Sequence, residues 1–380
     1  MSSSTDSPGS GSPLRHLGPN WYATVMGTAI VASAGAAPPV HVAALRGAYE
    51  TVWALSVITL VALLAARAVH WARHRDRARA QLDDPAVAPF YGCLAMALLA
   101  VGGTTLCVGP GVIGEDAAVA ADAVLWSVGT VAGLGAAAAV PYLMVTRHRI
   151  GPGDASPVWL LPVVAPMVSA ALGPALVPHL PDGQARAAMV LACYGLFGMS
   201  LLATLLILPL LFARLLRHGP LPLALTPTLF LVLGPLGQST TAVNNLADAA
   251  PAASALAGPY APAMSAFAVL YGVPVMGFAL LWLVLATALV ARAARAGMGF
   301  AMTWWAFTFP VGTCVTGAAA LARHTGVDGL AWLADGLYAV LVAAWAVAGV
   351  RTLAGLVSGR LLAAPRPAPV ALGSTTARTT

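Results

Sequence analysis

Ten mostly apolar stretches alternate with short polar breaks along the chain. They lie at about 19–37, 49–71, 89–109, 118–146, 157–177, 185–213, 224–247, 260–291, 300–321 and 329–356. Clusters of Gly, Pro and charged residues mark the breaks. A helix needs ~20 apolar residues to cross ~30 Å of hydrocarbon, and the stretches meet or approach that length. The pattern predicts an all-α integral membrane protein of ten transmembrane helices. Odd-numbered stretches begin near residues 19, 89, 157, 224 and 300, a regular spacing that groups the ten into five helical hairpins. Such units stack as an open array or close into a ring.

The flanks differ from the stretches. Residues 1–18 are polar and rich in Ser, Gly and Pro, without the basic start, apolar run and cleavage site of a secretory signal. Residues 357–380 are rich in Pro, Ala and Thr. Both are expected to be disordered cytoplasmic tails around a transmembrane domain of residues 19–356.

Composition sharpens this. Of 380 residues, 59% are hydrophobic and only 8% charged, whereas an ordinary soluble domain carries about a quarter. Lipid is the solvent that fits. All 19 basic residues are Arg, and they cluster at the ends of stretches and in the flanking segments. With the amino terminus inside, only Arg46, Arg186 and Arg323 fall outside, as the positive-inside bias requires. Both termini are thereby expected in the cytoplasm, at the plasma membrane. The net charge of +6 reports topology rather than a nucleic-acid-binding stripe.

Odd stretches carry most helix disruptors: Gly102 and Gly103, Pro162 and Pro166, Gly234 and Pro235, and Pro310. Backbone freed at such breaks is tolerated against protein or water but not against lipid. The odd helices are therefore expected to face a common axis, shielded by the even ones.

Their polar residues are candidate pore-lining groups: Thr24, Thr28, Thr104, Thr105, Ser169, Gln238, Ser239, Asn244, Thr313 and Thr316. A single Thr more simply bonds its own helix or a neighbour. The cluster Gln238-Ser239-Thr240-Thr241 with Asn244-Asn245 is costly in lipid and better explained by a wet path. In the ninth stretch, Phe309 precedes Pro310, with Phe307 nearby. A bulky aromatic on a hydroxyl-bearing face could close a narrow pore by dewetting it; ordinary helix packing with interfacial Trp anchoring is the alternative.

Other chemistry is weakly represented. Almost no ionisable residue falls mid-span, which argues against proton or sodium coupling. The histidines sit at loops or span ends, so neither metal nor haem ligation is expected. Cys93, Cys107, Cys193 and Cys314 form no CxxC pair and read as small apolar fillers. No cofactor and no enzymatic activity are expected. An integral-membrane redox subunit or enzyme is a distant alternative.

Four stretches carry a family resemblance: Gly18-Pro19-Asn20-Trp21-Tyr22-Ala23-Thr24-Val25-Met26-Gly27-Thr28, Trp159-Leu160-Leu161-Pro162-Val163-Val164-Ala165-Pro166, Gly234-Pro235-Leu236-Gly237-Gln238 and Trp304-Trp305-Ala306-Phe307-Thr308-Phe309-Pro310. In order and on the right helices, they resemble the tellurite-resistance/dicarboxylate transporter family, which includes slow anion channels. The resemblance implies five hairpins around a pseudo-fivefold axis, a central pore in each subunit, and homotrimers. It also implies a gating phenylalanine on the ninth helix, carried onto Phe309, with Phe307 second. The substrates implied are small inorganic or organic anions: chloride- or nitrate-like ions, C4-dicarboxylates such as malate, or sulfite. Proton-coupled export of dicarboxylate, sulfite or tellurite is the alternative mechanism.

Overall fold

The computed structural model describes residues 13–362 except 38, 40 and 41; the tail expectations for residues 1–12 and 363–380 lie outside the described residues. Ten long helices, one per predicted stretch, dominate it. They are α1 (Tyr22–Ala36), α2 (Arg46–Arg73), α3 (Gly92–Val108), α4 (Glu115–Thr146) and α5 (Leu160–Leu172). The second half adds α6 (Gln184–His218), α7 (Leu233–Ala249), α8 (Tyr260–Arg295), α9 (Phe309–Thr325) and α10 (Asp328–Val357). Among the described residues no β-strand occurs.

Each odd helix is entered through a 3₁₀ segment: Pro19–Trp21, Ala88–Tyr91, Pro157–Trp159, Leu223–Val232 and Met302–Phe307. Proline placement explains these entries. Pro19 and Pro157 open their segments, where a missing N–H costs nothing. Pro162, Pro235 and Pro310 fall within the first three residues of α5, α7 and α9, positions whose N–H groups lack an intrahelical acceptor. These prolines mark the switch from 3₁₀ to α geometry rather than a mid-helix bend. Pro166, by contrast, lies inside α5. Gly102 and Gly103 do not break α3, which runs on to Val108; they are points of close approach. A Cβ on Gly102 would sit 2.6 Å from Asp122 Oδ1, and one on Gly103 would sit 3.1 Å from Leu172.

The odd helices form a closed ring in the order α1, α3, α5, α7, α9 and back to α1. Each even helix packs outside its own partner and the next odd helix round, with α10 closing onto α1. The ring is thus realised and the open array is not. Burial follows the same division. In the most apolar window of the α3, α5 and α9 legs 72%, 89% and 83% of residues are buried, against 22–28% in the five even helices. Large apolar side chains such as Val145, Leu206, Leu270 and Trp332 project outward from the even helices, a surface that only a bilayer solvates.

Eight of the ten legs are long and apolar enough to cross a membrane. The legs of α1 and α7 are the other two. Their α-helical parts have 15 and 17 residues, and both lie inside the ring.

At the arginine-rich end, residues 13–18 depart from the disordered tail expected there. Pro13–His16 form a 3₁₀ turn and Leu17 is buried. Buried Arg67 donates to Leu17 O at 2.6 Å, and also to Gln81 Oε1 at 2.9 Å, so the segment is docked by supplying one of the acceptors a buried guanidinium needs.

Candidate functional site

Two cavities lie on the ring axis, and every odd helix contributes to both. The larger, about 200 Å³, opens toward the end that holds the α1–α2, α3–α4, α5–α6, α7–α8 and α9–α10 turns. This is the arginine-poor end. Helical spacing selects its lining. Ile30 and Ser33 come from α1, with Ala100, Gly103, Thr104 and Cys107 from α3. Gln238, Thr241 and Asn245 come from α7, and Phe309, Thr316, Ala319 and Arg323 from α9. Phe309, Thr316 and Arg323 recur every seven residues, an interval that drifts only ~20° around a straight helix. They lie about 10 Å apart along the axis.

The second cavity, about 20 Å³, is walled by Met26, Met96, Leu160, Leu161, Val164, Leu231, Gly234, Phe309 and Pro310. It has room for roughly one water and offers no polar side chain to hold it. Phe309, 4% exposed, borders both cavities and stands between the larger one, whose mainly apolar walls carry Gln238, Thr241, Thr316 and Arg323, and this wholly apolar neck.

Few donors in the larger cavity are uncommitted. Thr104 Oγ1 lies 2.7 Å from Ala100 O and 3.2 Å from Ala29 O. Thr241 and Thr316 share a hydroxyl contact at 2.8 Å, and Asn245 Nδ2 donates to Ala171 O at 2.8 Å. Gln238 has no hydrogen-bond partner among the described residues, although it is almost fully buried. Its carboxamide is therefore open to whatever occupies the axis. Arg323 is the one charged side chain among the described lining residues.

The structure brings Thr104, Gln238, Thr316 and Phe309 together on the axis and turns other sequence candidates elsewhere. Thr24 and Thr28 face a lateral groove between α2 and α10, where Trp345 Nε1 donates to Thr28 Oγ1 at 3.1 Å. Thr105 accepts from Trp53 Nε1 of α2 at 2.9 Å, and Ser169 accepts from Thr130 Oγ1 of α4 at 2.9 Å. Ser239 donates to Leu236 O at 3.0 Å, within its own helix. Thr313 donates to Pro310 O at 2.7 Å, beside the α7 backbone. Asn244 donates to Thr240 O at 2.8 Å on the side of α7 packed against Gly272 of α8. Phe307 packs edge-on against Phe230 at 4.8 Å, off the axis. The polar residues share one physical reason: a hydroxyl or amide in an apolar bundle is held wherever its own backbone or a neighbouring helix offers a partner.

Sequence reasoning missed Ser33, Cys107 and Arg323 as lining residues, and within the polar cluster of the seventh stretch it took Asn244 rather than its neighbour Asn245. Spacing would have found two of them. Asn245, and not Asn244, is i+7 from Gln238, and Arg323 continues the seven-residue series from Phe309. It also missed Asp122, which is fully buried in α4 with neither carboxylate oxygen hydrogen-bonded among the described residues.

Known proteins resemble this chain in sequence. An uncharacterized transporter of Methanocaldococcus jannaschii is 25% identical over 92% of this chain and 96% of its own length. Sulfite efflux pumps of Trichophyton rubrum and Arthroderma otae are 26% and 27% identical over 82% of this chain and 83% of theirs. Residues 16–353 match the profile described as voltage-dependent anion channel. An all-α, multi-pass membrane protein matched over nearly its whole length, the chain belongs to the voltage-dependent anion channel family and its work is anion transport.

Proposed function

We propose that small anions cross the plasma membrane along the ring axis, through a neutral pathway closed at rest by Phe309. The observation that carries this reading is the position of Phe309 between a mainly apolar vestibule that bears a few polar side chains and a neck that bears none, both bounded by all five inner helices. An apolar constriction this narrow excludes water, and with it any hydrated ion, until the ring moves. With the arginine-rich end in the cytoplasm, as the positive-inside bias places it, the vestibule faces outward. Each subunit of a homotrimer holds its own pathway in this reading.

Selection is by size and charge rather than by a tight clamp, because Gln238 is the one uncommitted amide on the axis below Arg323. Nitrate- or chloride-like ions and sulfite suit such a passage better than malate, which would require paired cations. The test is the reversal potential of purified protein in planar bilayers under different anion gradients. A potential that follows the anion gradient supports the reading, and absence of anion current from inserted protein overturns it.

A second reading, proton-coupled export, draws on two observations: relatives named sulfite efflux pumps and the buried, unpaired Asp122. An intramembrane carboxylate without a partner is a default marker of proton coupling. Anion accumulation driven by a pH gradient alone would select this reading over passive conduction.

A further inference from the structure

We propose that the arginine-rich end holds a binding site for a terminal phosphate group, in a cavity between α2, α3 and the entry to α1 where the buried Arg67 guanidinium faces the Tyr22 hydroxyl. The inference is independent of the conduction reading above. None of the residues lining this cavity lines either axial cavity.

Arg67 lies near the inner end of α2 and is 5% exposed. Of the five N–H donors on a guanidinium, three are placed. Nη1 donates to Leu17 O and Gln81 Oε1, and Nη2 donates to Tyr91 Oη at 3.2 Å. The Tyr91 ring also meets the cation at 5.7 Å. Every one of these partners is neutral, so they satisfy N–H groups and leave the charge uncompensated. The acidic side chains of the α2–α3 connection are engaged elsewhere. Asp76 pairs with Arg15 and Arg77, Asp83 pairs with Arg147, and Asp84 accepts from the Ala86 N–H. A buried cation without a counter-charge is costly. The Nε–H and one N–H of Nη2 meet no acceptor among the described residues.

The cavity beside Arg67 supplies room and a further donor. Its volume is about 160 Å³, well above the roughly 10–15 Å³ that one water needs. Tyr22 lines it and is only 3% exposed, yet its hydroxyl makes no hydrogen bond among the described residues. No carboxylate is among the described lining residues. A planar fork and a hydroxyl with no competing acid are the complement of a phosphate oxyanion.

Position sets the possible sources. Leu64 and Ala68 line the cavity from the exposed face of α2, and Trp71 lies one turn further toward the inner interface, the depth at which Trp marks the lipid headgroups. The phosphate arrives either as the head of phosphatidic acid or as a free ion from the inner solution. A choline cap would bring a second cation against Arg67, so phosphatidylcholine is disfavoured.

The test uses the purified full chain in detergent. Equal amounts of phosphatidic acid and phosphatidylcholine are offered, and native mass spectrometry reads which is retained. The wild type should prefer phosphatidic acid. Tyr22→Phe should lower that preference about tenfold, the scale of one hydrogen bond to a charged group. Ala68→Leu, which fills the cavity from an exposed position, should lower it at least as far. Arg67→Lys keeps the charge without the fork and should fall between the wild type and Arg67→Gln; if Arg67→Gln fails to fold, the Tyr22 and Ala68 variants carry the test alone. In a second arm, inorganic phosphate is added to lipid-free protein and compared with chloride at equal ionic strength. A thermal midpoint that phosphate raises in the wild type and not in Tyr22→Phe, without a lipid preference, assigns the site to the free ion. A lipid preference without that rise assigns it to the headgroup. A wild type with neither response overturns the site. So do responses that Tyr22→Phe and Ala68→Leu leave unchanged, the mark of the general arginine field at this end.

Discussion

Thr241 Oγ1 of α7 and Thr316 Oγ1 of α9 lie 2.8 Å apart on the wall of the central cavity. The contact pins two parallel inner helices in register and consumes hydroxyls that would otherwise face an ion. The axis is thus neutral and weakly coordinating over most of its length, which suits passage better than tight binding. Phe309 sits seven residues below Thr316, below the last of the polar side chains that α9 presents to the cavity.

Replacing Phe309 by Ala removes the ring that separates vestibule from neck. In proteoliposomes this variant should raise anion flux by an order of magnitude or more, because a dewetted constriction opens steeply once its bulk is lost. Flux equal to wild type, from protein inserted to the same level, would rule out Phe309 as the closure.

Phe307→Ala separates gating from packing. Phe307 contacts Phe230 at 4.8 Å and Trp304 at 5.9 Å, outside both axial cavities. Its loss should cost roughly 3 kcal/mol, seen as a lower thermal midpoint in detergent, with no gain in flux. An open phenotype here would move the gate off Phe309.

Two glycines one turn apart test the ring contact. A Cβ on Gly237 would sit 2.5 Å from the backbone of Thr313 and Cys314, whereas one on Gly234 meets nothing within 4 Å. Gly237→Ala should destabilise by about 1–3 kcal/mol, since backbone cannot step aside. Gly234→Ala should leave stability near wild type. Equal thermal midpoints for the two variants would contradict the α7–α9 packing.

The sequence made the ten helices and their pairing legible, because length and hydropathy are written residue by residue and the bilayer enforces both. Predicted and observed ends differ by only a few residues; the first stretch, 19–37, becomes Pro19–Ala36. Closure of the ring was not legible from hydropathy and spacing, which left an open array equally allowed, and came only from the placement of the breaks and the family resemblance, since it depends on α9 meeting α1 across most of the chain, as when Gly312 admits Ile30. Nor was the facing of each polar residue. Gln238 and Asn245 point to the axis while Ser239 and Asn244 do not, and adjacent positions on a helix turn 100° apart. The 3₁₀ entries blurred this further. A face projected from Met302 through Thr316 is broken at Thr308, where the backbone turns to φ −96° and ψ −81°.

Asp122 decides between passive conduction and coupling. Its carboxylate is buried against Gly102 of α3, whose neighbour Gly103 lines the cavity, and no donor meets either oxygen among the described residues. An unpaired buried charge is costly, so Asp122→Asn, which keeps the shape and discards the charge, should fold as well as the wild type or better. Gly102→Ala, which drives a methyl into the same contact, should be less stable. The transport outcome then discriminates. If conduction is passive, Asp122→Asn leaves gradient-driven flux and reversal potential unchanged, because no proton takes part. If Asp122 carries a coupling proton, the variant still passes anions downhill but no longer accumulates them when a pH gradient is the sole driving force. Measuring both fluxes on one preparation, with Asp122→Asn folded and inserted, separates the mechanisms without reference to the anion carried.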